Sequence, residues 1–270
     1  MPNFLETGIE IAREAGSLLA NYFERRIGFE LKGDYDLVTE ADRASEHLVV
    51  ERLRSHFPTH SILGEEGGLR QNTSSYRWYC DPLDGTTNFA HGYPAFNVTI
   101  ALERAGDLIC GVIYDPIRQE MFTTERGSGA YLNNHRISVS KVPKLEESLL
   151  STGFPSRKRH QSINVHFFHQ TSMVTHGIRR SGSAAIDLAY VACGRLEGFW
   201  EFGLNPWDVA AGILLVREAG GQCSDMKGGP AKVDGPHLAA DNGLIHQELL
   251  GLFADVFNGV YRFPMPPVAP

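Results

Sequence analysis

The chain has 270 residues, of which 42% are hydrophobic and 21% charged, a composition typical of a globular protein with a large core. Its formal net charge is −7 and it has no block of Lys and Arg, so a nucleic-acid surface is not expected. No run approaches the ~18–20 apolar residues of a transmembrane helix. We therefore expect neither nucleic acid nor a membrane as a partner.

The cysteines and the amino-terminal segment bear on the cellular compartment. The four cysteines are Cys80, Cys110, Cys193 and Cys223. They form no C-x-x-C pair and have small or apolar neighbours, which is typical of buried, reduced thiols. Glu6, Glu10 and Glu14 interrupt the first residues, which do not resemble a signal peptide. These features predict a cytoplasmic protein.

In the first half of the chain, the periodicity of apolar residues predicts helices and then strands. The predicted helices span residues 4–25 and begin again near 40, with apolar residues at helical spacing. A short strand over 61–64 precedes a polar, glycine-rich loop over 67–76. A buried strand is predicted to end at Asp81, and further strands are predicted over 96–102, 109–114 and 121–124.

The second half alternates strands and helices after a weak boundary at Val142-Pro143-Lys144. We predict strands over 149–152 and 198–201, and helices over 163–174, 183–193, 209–219 and 248–257. This divides the chain into units 1–143 and 144–263, followed by a proline-rich tail over 264–270 that cannot be helical. The alternation predicts a mixed α/β architecture in which helices sandwich the sheets.

The segment around Asp81 and Asp84 is the most informative in the chain. Two carboxylates crowded at the end of a strand repel each other unless a positive charge lies between them. Gly85 and Thr86 follow in a pattern typical of a tight turn that opens a helix, and their backbone N–H groups would favour a nearby anion. Hard oxygen ligands beside an anion site predict a magnesium-dependent site for a phosphate ester.

Other acidic residues also lie where predicted elements begin or end. These are Asp36, Glu40, Asp42, Glu65, Glu66 and Asp208. Each alone is equally typical of a solvated surface or a helix cap. Together they lie at strand ends and helix starts, where α/β folds assemble their active sites.

A set of ordered motifs makes the chain resemble the inositol monophosphatase family of magnesium-dependent, often lithium-sensitive phosphatases. The motifs are DLVTEAD at 36–42, GEE at 64–66, DPLDGTTNF at 81–89, GSAA at 182–185, GFWE at 198–201, WDVAAG at 207–212 and EAGG at 218–221. The resemblance covers nearly the whole chain. It implies a mixed α+β fold, a layered αβαβα sandwich like that of inositol monophosphatase and fructose-1,6-bisphosphatase.

The resemblance also implies roles for single residues. The implied ligands of two or three Mg²⁺ ions are Glu65, Asp81, the backbone carbonyl of Leu83, Asp84 and Asp208. The implied catalytic residues are Thr86, which orients the attacking water, its partner Asp42, and Glu65. The implied substrate contacts are Asp84, Gly85, Thr86, Gly182, Ser183, Ala184, Glu201 and Asp208. The resemblance implies no direct ligand role for Glu66, which is expected beside the metals or on the surface.

The implied reaction is in-line attack of water on a phosphate monoester, without a covalent phospho-enzyme, and the implied assembly is a homodimer. Glu201 favours a polyol leaving group, because a carboxylate accepts hydrogen bonds well, so inositol 1-phosphate is the preferred substrate. Fructose 1,6-bisphosphate, histidinol phosphate and adenosine 3′,5′-bisphosphate stay open. So does a non-catalytic or moonlighting interaction protein that keeps the fold, although every implied metal ligand is present. The sequence leaves lithium sensitivity open.

Three features stay ambiguous at this level. The loop at 32–36 either closes over the metals or is an ordinary connection. His160, His166, His169 and His176 fall in one stretch, but their spacing fits no zinc pattern and favours surface or packing roles. Arg179 and Arg180 either approach a phosphate or lie in solvent.

Overall fold

The structure is a computed structural model that describes residues 3–25, 28–31, 37–154 and 161–265. Within these ranges the helices are α1 (Phe4–Glu24), α2 (Glu40–His56), α3 (Thr86–Ala90), α4 (Asn164–Ser172), α5 (Ala184–Ala192), α6 (Pro206–Glu218) and α7 (His246–Phe257). The strands are β1 (Phe29–Leu31), β2 (Leu37–Thr39), β3 (Ser61–Gly64), β4 (Gly68–Arg70), β5 (Tyr76–Asp84), β6 (Asn97–Arg104), β7 (Asp107–Asp115), β8 (Glu120–Glu125), β9 (Gly129–Leu132), β10 (His135–Ile137), β11 (Leu149–Thr152), β12 (Gly177–Arg179), β13 (Gly198–Phe202), β14 (Gln222–Ser224) and β15 (His237–Asp241).

The larger sheet has eight strands in the order β10-β9-β8-β7-β6-β5-β3-β4. Only β3 and β5 pair in parallel; the other pairs are antiparallel. One face of this sheet packs against α1 and α2, where Ile11, Leu53 and Trp78 are fully buried in a common core. The amphipathic pattern that predicted α1 therefore marks the face that covers this sheet.

The smaller sheet has five strands in the order β12-β11-β13-β15-β14, and β11 is parallel to both of its neighbours. Its outer face packs against α4 and α7, with Phe167, Trp200 and Phe253 in the core. A short two-stranded sheet of β1 and β2 stands apart from both larger sheets.

Helices α5 and α6 fill the space between the two sheets. Successive side chains of a strand point to opposite faces of the sheet. In the larger sheet Tyr79 and Ile113 therefore face α5 and α6, whereas Trp78 and Val112 face α1 and α2. The layers therefore run helix, sheet, helix, sheet, helix. The αβαβα sandwich predicted from the sequence is confirmed.

Several predicted element bounds need correction. The strand predicted to end at Asp81 continues to Asp84, with a register shift against β6 between these residues, because Pro82 cannot donate a hydrogen bond to the ladder. The loop predicted over 67–76 contains β4. Helix α6 begins at Pro206, ahead of the predicted residue 209, because proline suits the first turn of a helix.

The short strands β9, β10, β12, β14 and β15 were not predicted from the sequence. The weak boundary at 142–144 lies between the segments that build the two sheets, and the division of the chain into two units stays a prediction. The tail residues Pro264 and Met265 are not helical, and 266–270 lie outside the described ranges. Within the described ranges no helix is both long and apolar enough to cross a membrane.

The close contact of α5 and α6 depends on Gly212. A Cβ atom at this position would lie 2.6 Å from Leu188 Cβ, so Gly212→Ala forces the helices apart. We expect this variant to lower the free energy of unfolding by about 1–3 kcal/mol despite the better helix propensity of Ala.

Gly251 on α7 provides the matched control, because a Cβ atom there meets nothing within 4 Å. Gly251→Ala should raise the free energy of unfolding by about 0.5–1 kcal/mol. Urea unfolding of the two variants and the wild type measures both effects. A Gly212→Ala protein as stable as Gly251→Ala would contradict the packing described for α5 and α6.

Candidate active site

The end of β5 carries the central carboxylates. Asp81 is 2% exposed, and its Oδ1 accepts a hydrogen bond from the backbone N–H of Leu83 (3.0 Å). Burial raises the pKa of Asp81 well above its usual range, and the neighbouring carboxylates Glu65, Asp84 and Asp208 raise it further. The fold thus brings together four acids from three separate segments of the chain.

Asp84 is held by donors from two other elements. Its Oδ2 accepts hydrogen bonds from Asn97 Nδ2 (3.1 Å), Ser183 Oγ (2.7 Å) and the N–H of Ala185 (3.0 Å). Ser183 is also the N-cap of α5, where its side chain accepts from Ile186 N–H. Desolvation outweighs these hydrogen bonds and raises the pKa of Asp84. The start of α5 is therefore attached to the end of β5.

Asp208 lies at the third position of α6, where its Oδ2 accepts a hydrogen bond from the Asn205 N–H (2.7 Å) in a capping box. Desolvation raises the pKa of Asp208 to about 7, and the charge of Asp84 contributes. Glu65 follows β3, the parallel neighbour of β5, and is half-buried. The carboxyl ends of parallel neighbours meet at one edge of a sheet, which explains why Glu65 lies near Asp81.

Thr86 and Asp42 lie beside these acids and contact each other. Thr86 Oγ1 lies 3.0 Å from Asp42 Oδ1 and 3.1 Å from the carbonyl oxygen of Leu83. The other oxygen of Asp42 accepts from the N–H of Thr39 (2.7 Å) in the capping box of α2. Burial raises the pKa of Asp42 in spite of these hydrogen bonds. The pair predicted to act together in the sequence is therefore in hydrogen-bond contact.

Gly85 connects β5 to α3 in a left-handed backbone conformation, which favours glycine. Its φ is 97°, and a Cβ atom would lie 2.8 Å from the carbonyl oxygen of Ala95. The predicted turn that opens a helix after Asp84 is confirmed: Gly85 is the N-cap of α3, although α3 is only five residues long.

Glu201 on β13 lies deep in the site and is 8% exposed. Burial raises its pKa well above the usual range, and nearby Asp187 and Asp208 add to the effect. Gly153 leaves the room for this carboxylate, since a Cβ atom at residue 153 would be 2.2 Å from both Glu201 oxygens. Gly182 has a φ of 86°, and a Cβ atom there would meet Arg180 and Asn88.

The carboxylate oxygens of Asp81, Asp84 and Asp208 are available to a divalent cation. In the described part of the chain, donors contact only Oδ1 of Asp81 and only Oδ2 of Asp84 and Asp208, so each keeps one carboxylate oxygen without a donor. In that same part, no three Asp, Glu, His or Cys side chains already converge on one point as a metal cluster would. Crowded oxygen donors with raised pKa values suit a hard cation such as Mg²⁺, which would offset their repulsion.

Three polar residues of the site were missed from the sequence. Asn97 is fully buried and links Asp84 to Ser183, with its Nδ2 2.8 Å from Ser183 Oγ. Asn88 Nδ2 donates to the carbonyl oxygen of Ser181 (2.8 Å). Asp187 is 2% exposed, and burial raises its pKa. The available signal was the polar residue within an apolar segment, at Asn97 in β6 and at Asp187 in α5.

Several residues weighed in the sequence lie elsewhere. Asp36 and the whole loop 32–36 fall outside the described residues, as does His160. His166 packs near the ring of Tyr261, at 5.4 Å between centroids. Arg179 on β12 and Arg180 are both exposed, and the charge of Arg180 partly offsets the rise in the pKa of Glu201.

Comparisons with known proteins agree with this geometry. A model of the inositol monophosphatase family matches residues 1–258. An inositol-1-monophosphatase from Mesorhizobium japonicum is 45% identical over 251 residues, which cover 91% of this chain and 94% of that protein. A protein named Nus factor SuhB from Pseudomonas aeruginosa is 47% identical over 259 residues, covering 93% and 95%.

A solved structure from the same family has a similar fold. The solved structure of an inositol monophosphatase from Anabaena superposes with a TM-score of 0.85 at 45% identity, covering 93% of this chain and 95% of that one. The chain therefore belongs to the inositol monophosphatase family and is a phosphoric monoester hydrolase.

Proposed function

We propose that the protein is a magnesium-dependent inositol-1-monophosphatase that releases inositol and phosphate from inositol 1-phosphate. The observation that carries this proposal is the buried carboxylate of Asp81, surrounded by Glu65, Asp84 and Asp208. The homologous proteins named inositol-1-monophosphatase support the choice of substrate.

In the proposed site Mg²⁺ is held by Glu65, Asp81, the Leu83 carbonyl, Asp84 and Asp208. When bound, the cations supply neutralisation of the phosphoryl oxygens and activation of water. The contacts of Thr39, Asn97, Ser183 and Asn205 described above orient the carboxylates, which supports a preorganised site. Without a cation these acids repel each other, so the ion also stabilises the fold.

Thr86 and Asp42 are proposed to hold the attacking water and take up its proton. The Thr86 hydroxyl can accept a hydrogen bond from water while it donates to Asp42 Oδ1, 3.0 Å away. A raised pKa makes Asp42 a better proton acceptor than an ordinary carboxylate. The backbone N–H groups of Gly85 and Thr86 are proposed to hold the phosphate.

Asp81→Asn should separate activity from stability. The loss of charge at the centre of the site should lower kcat/KM by at least about 100-fold, the scale seen when one electrostatic group of an active site is removed. In the absence of magnesium the melting temperature should stay equal or rise, because the substitution removes a buried, repelled carboxylate. Phosphate release and thermal unfolding measure the two effects.

Asp115 provides the opposite control. It is equally buried but is paired with Arg118 (2.8 Å) at the end of β7, and its hydrogen bonds in the described residues go to Ile117 and Arg118 and not to the proposed ligands. Asp115→Asn should lower the melting temperature and leave kcat/KM unchanged. If Asp81→Asn turned over substrate at the wild-type rate, the proposed chemistry would be wrong.

A panel of phosphate esters tests the proposed substrate. We expect magnesium-dependent phosphate release to have its highest kcat/KM on inositol 1-phosphate, and to be lower on fructose 1,6-bisphosphate, histidinol phosphate and adenosine 3′,5′-bisphosphate. Chelation with EDTA should abolish turnover, because the carboxylates alone cannot neutralise the ester dianion. A maximum on another ester would replace the substrate and keep the metal chemistry. No turnover on any ester would favour the alternative, an interaction protein that keeps the fold.

Glu201 is proposed to contact a hydroxyl of the polyol. Glu201→Gln keeps the shape of the side chain but removes its charge, and should raise KM for inositol 1-phosphate about tenfold, the scale of one charged hydrogen bond. On p-nitrophenyl phosphate, which has no polyol, KM should not change. An equal loss on both substrates would show that Glu201 acts on the metal site and not on the sugar-like part.

A homodimer and a cytoplasmic location accompany this proposal as predictions, and lithium sensitivity stays open. These predictions come from the family resemblance and the composition of the chain. The name Nus factor SuhB, carried by the Pseudomonas aeruginosa relative among others, supports the alternative of an interaction protein, and phosphatase activity is compatible with it.

A further inference from the structure

A second cleft lies far from the carboxylates, at the other end of α6. Its volume is about 420 Å³, and it is bounded by the beginning of β5, the β6–β7 turn, the last turn of α6 and the loop at 231–234. Asp208 and Arg217 are nine residues apart on α6, so the helix separates the two sites by ~14 Å at 1.5 Å per residue. A volume of this size is typical of a small-molecule site.

Four cations line this cleft, and in the described residues two of them, Arg217 and Lys232, have no carboxylate partner. Arg126 is paired with Asp107 at 2.9 Å. Within the described residues, Arg217 and Lys232 have no ion pair, and the Nε of Arg77 is buried without a hydrogen-bond acceptor. A buried donor without an acceptor is destabilising, and an acceptor on a ligand would satisfy it.

Two of the acidic residues of the cleft are engaged with the protein itself. Glu103 accepts a hydrogen bond from the Tyr79 hydroxyl at 2.7 Å. Glu218 accepts from the backbone N–H groups of Gly127 (2.8 Å) and Gly129 (2.9 Å). These acids stabilise the walls of the cleft. Glu103 also lies opposite Arg77 in the β5–β6 ladder and partly offsets its charge, but in the described residues no acid forms an ion pair with Arg217 or Lys232. Asp234, on the loop, is the remaining acid among the lining residues.

Apolar side chains form the rest of the lining. Leu108, Ile213, Leu214 and Val233 come from the β6–β7 turn, α6 and the loop. Cations beside an apolar wall suit a ligand with an anionic head and an apolar body. A purely structural explanation accounts for Arg217, since a cation stabilises the end of a helix, and for part of the Arg77 charge, which faces Glu103. It leaves the buried Nε of Arg77 without an acceptor and Lys232 without a partner in the described residues.

We propose that this cleft is a binding site, separate from the catalytic one, for a small organic anion that carries a phosphate, phosphonate or carboxylate group on an apolar body. The head is held by Arg77, Arg217 and Lys232, and the body lies against Leu108 and Val233.

The test uses the full-length enzyme with magnesium and the probe phenylphosphonate, which cannot be hydrolysed to phosphate and phenol. Backbone amide shifts in NMR spectra report on the cleft at Gly106, Leu108 and Val233, and on the catalytic site at Gly85 and Thr86. Calorimetry gives the dissociation constant, and inorganic phosphate serves as the head group without a body.

We expect saturable shifts at the three cleft amides, with at least tenfold weaker binding there in Arg217→Gln and in Lys232→Gln. Arg13→Gln removes the same charge from an exposed position on α1 and should bind like the wild type. Both side chains at 217 and 232 are exposed, so these variants should fold and keep wild-type turnover of inositol 1-phosphate.

Three results would overturn the proposal. Shifts confined to Gly85 and Thr86 would place the anion in the catalytic site alone. If Arg13→Gln weakened binding as much as the cleft variants do, the loss would come from the overall net charge and not from the cleft residues. Binding of inorganic phosphate in the cleft as tight as that of phenylphosphonate would exclude a role for the apolar wall.

Discussion

The structure depends on the repulsion among carboxylates collected at the end of β5. Asp81 is buried beside Glu65, Asp84 and Asp208, and the same burial that raises their pKa values also strengthens their mutual repulsion. In Asp81, Asp84 and Asp208, backbone or side-chain donors form hydrogen bonds to one carboxylate oxygen. The other oxygen has no donor in the described residues. In the proposed metal site a bound cation would offset this charge, so metal affinity and catalytic electrostatics would have the same origin.

The central helix layer makes this arrangement possible. The residues at the start of α5 and α6 supply Ser183 and Asp208, and both helices must lie close to the larger sheet for these residues to reach Asp84. Small residues permit the approach: a Cβ atom on Gly111 of β7 would lie 3.0 Å from Ala211 Cα, and Gly212 contacts Leu188 in the same way. The GSAA and WDVAAG motifs thus combine site residues with the small residues that position them.

The two ends of α6 differ in chemistry. The first turn carries Asp208 and contributes negative charge to the site at the end of β5. The last turn carries Arg217 and faces a cleft with cations and an apolar wall. Helix α6 packs between both sheets, so the carboxylates and the cleft lie at opposite ends of the same helix.

The sequence by itself determined the family, the layered architecture and the set of carboxylates. Strong periodicity over 10 or more residues predicted the long helices, and the DPLDGTTNF motif located the site, because its residues are contiguous and chemically unusual. Tertiary structure decided what depends on distant segments. The extension of β5 through Pro82, the link from Asn97 to Asp84 and Ser183, the burial of Asp187 near Glu201 and the cleft beside Arg217 all arise from contacts between residues far apart in the chain. Local periodicity carries no information about such contacts, since they are created only when the two sheets close on α5 and α6.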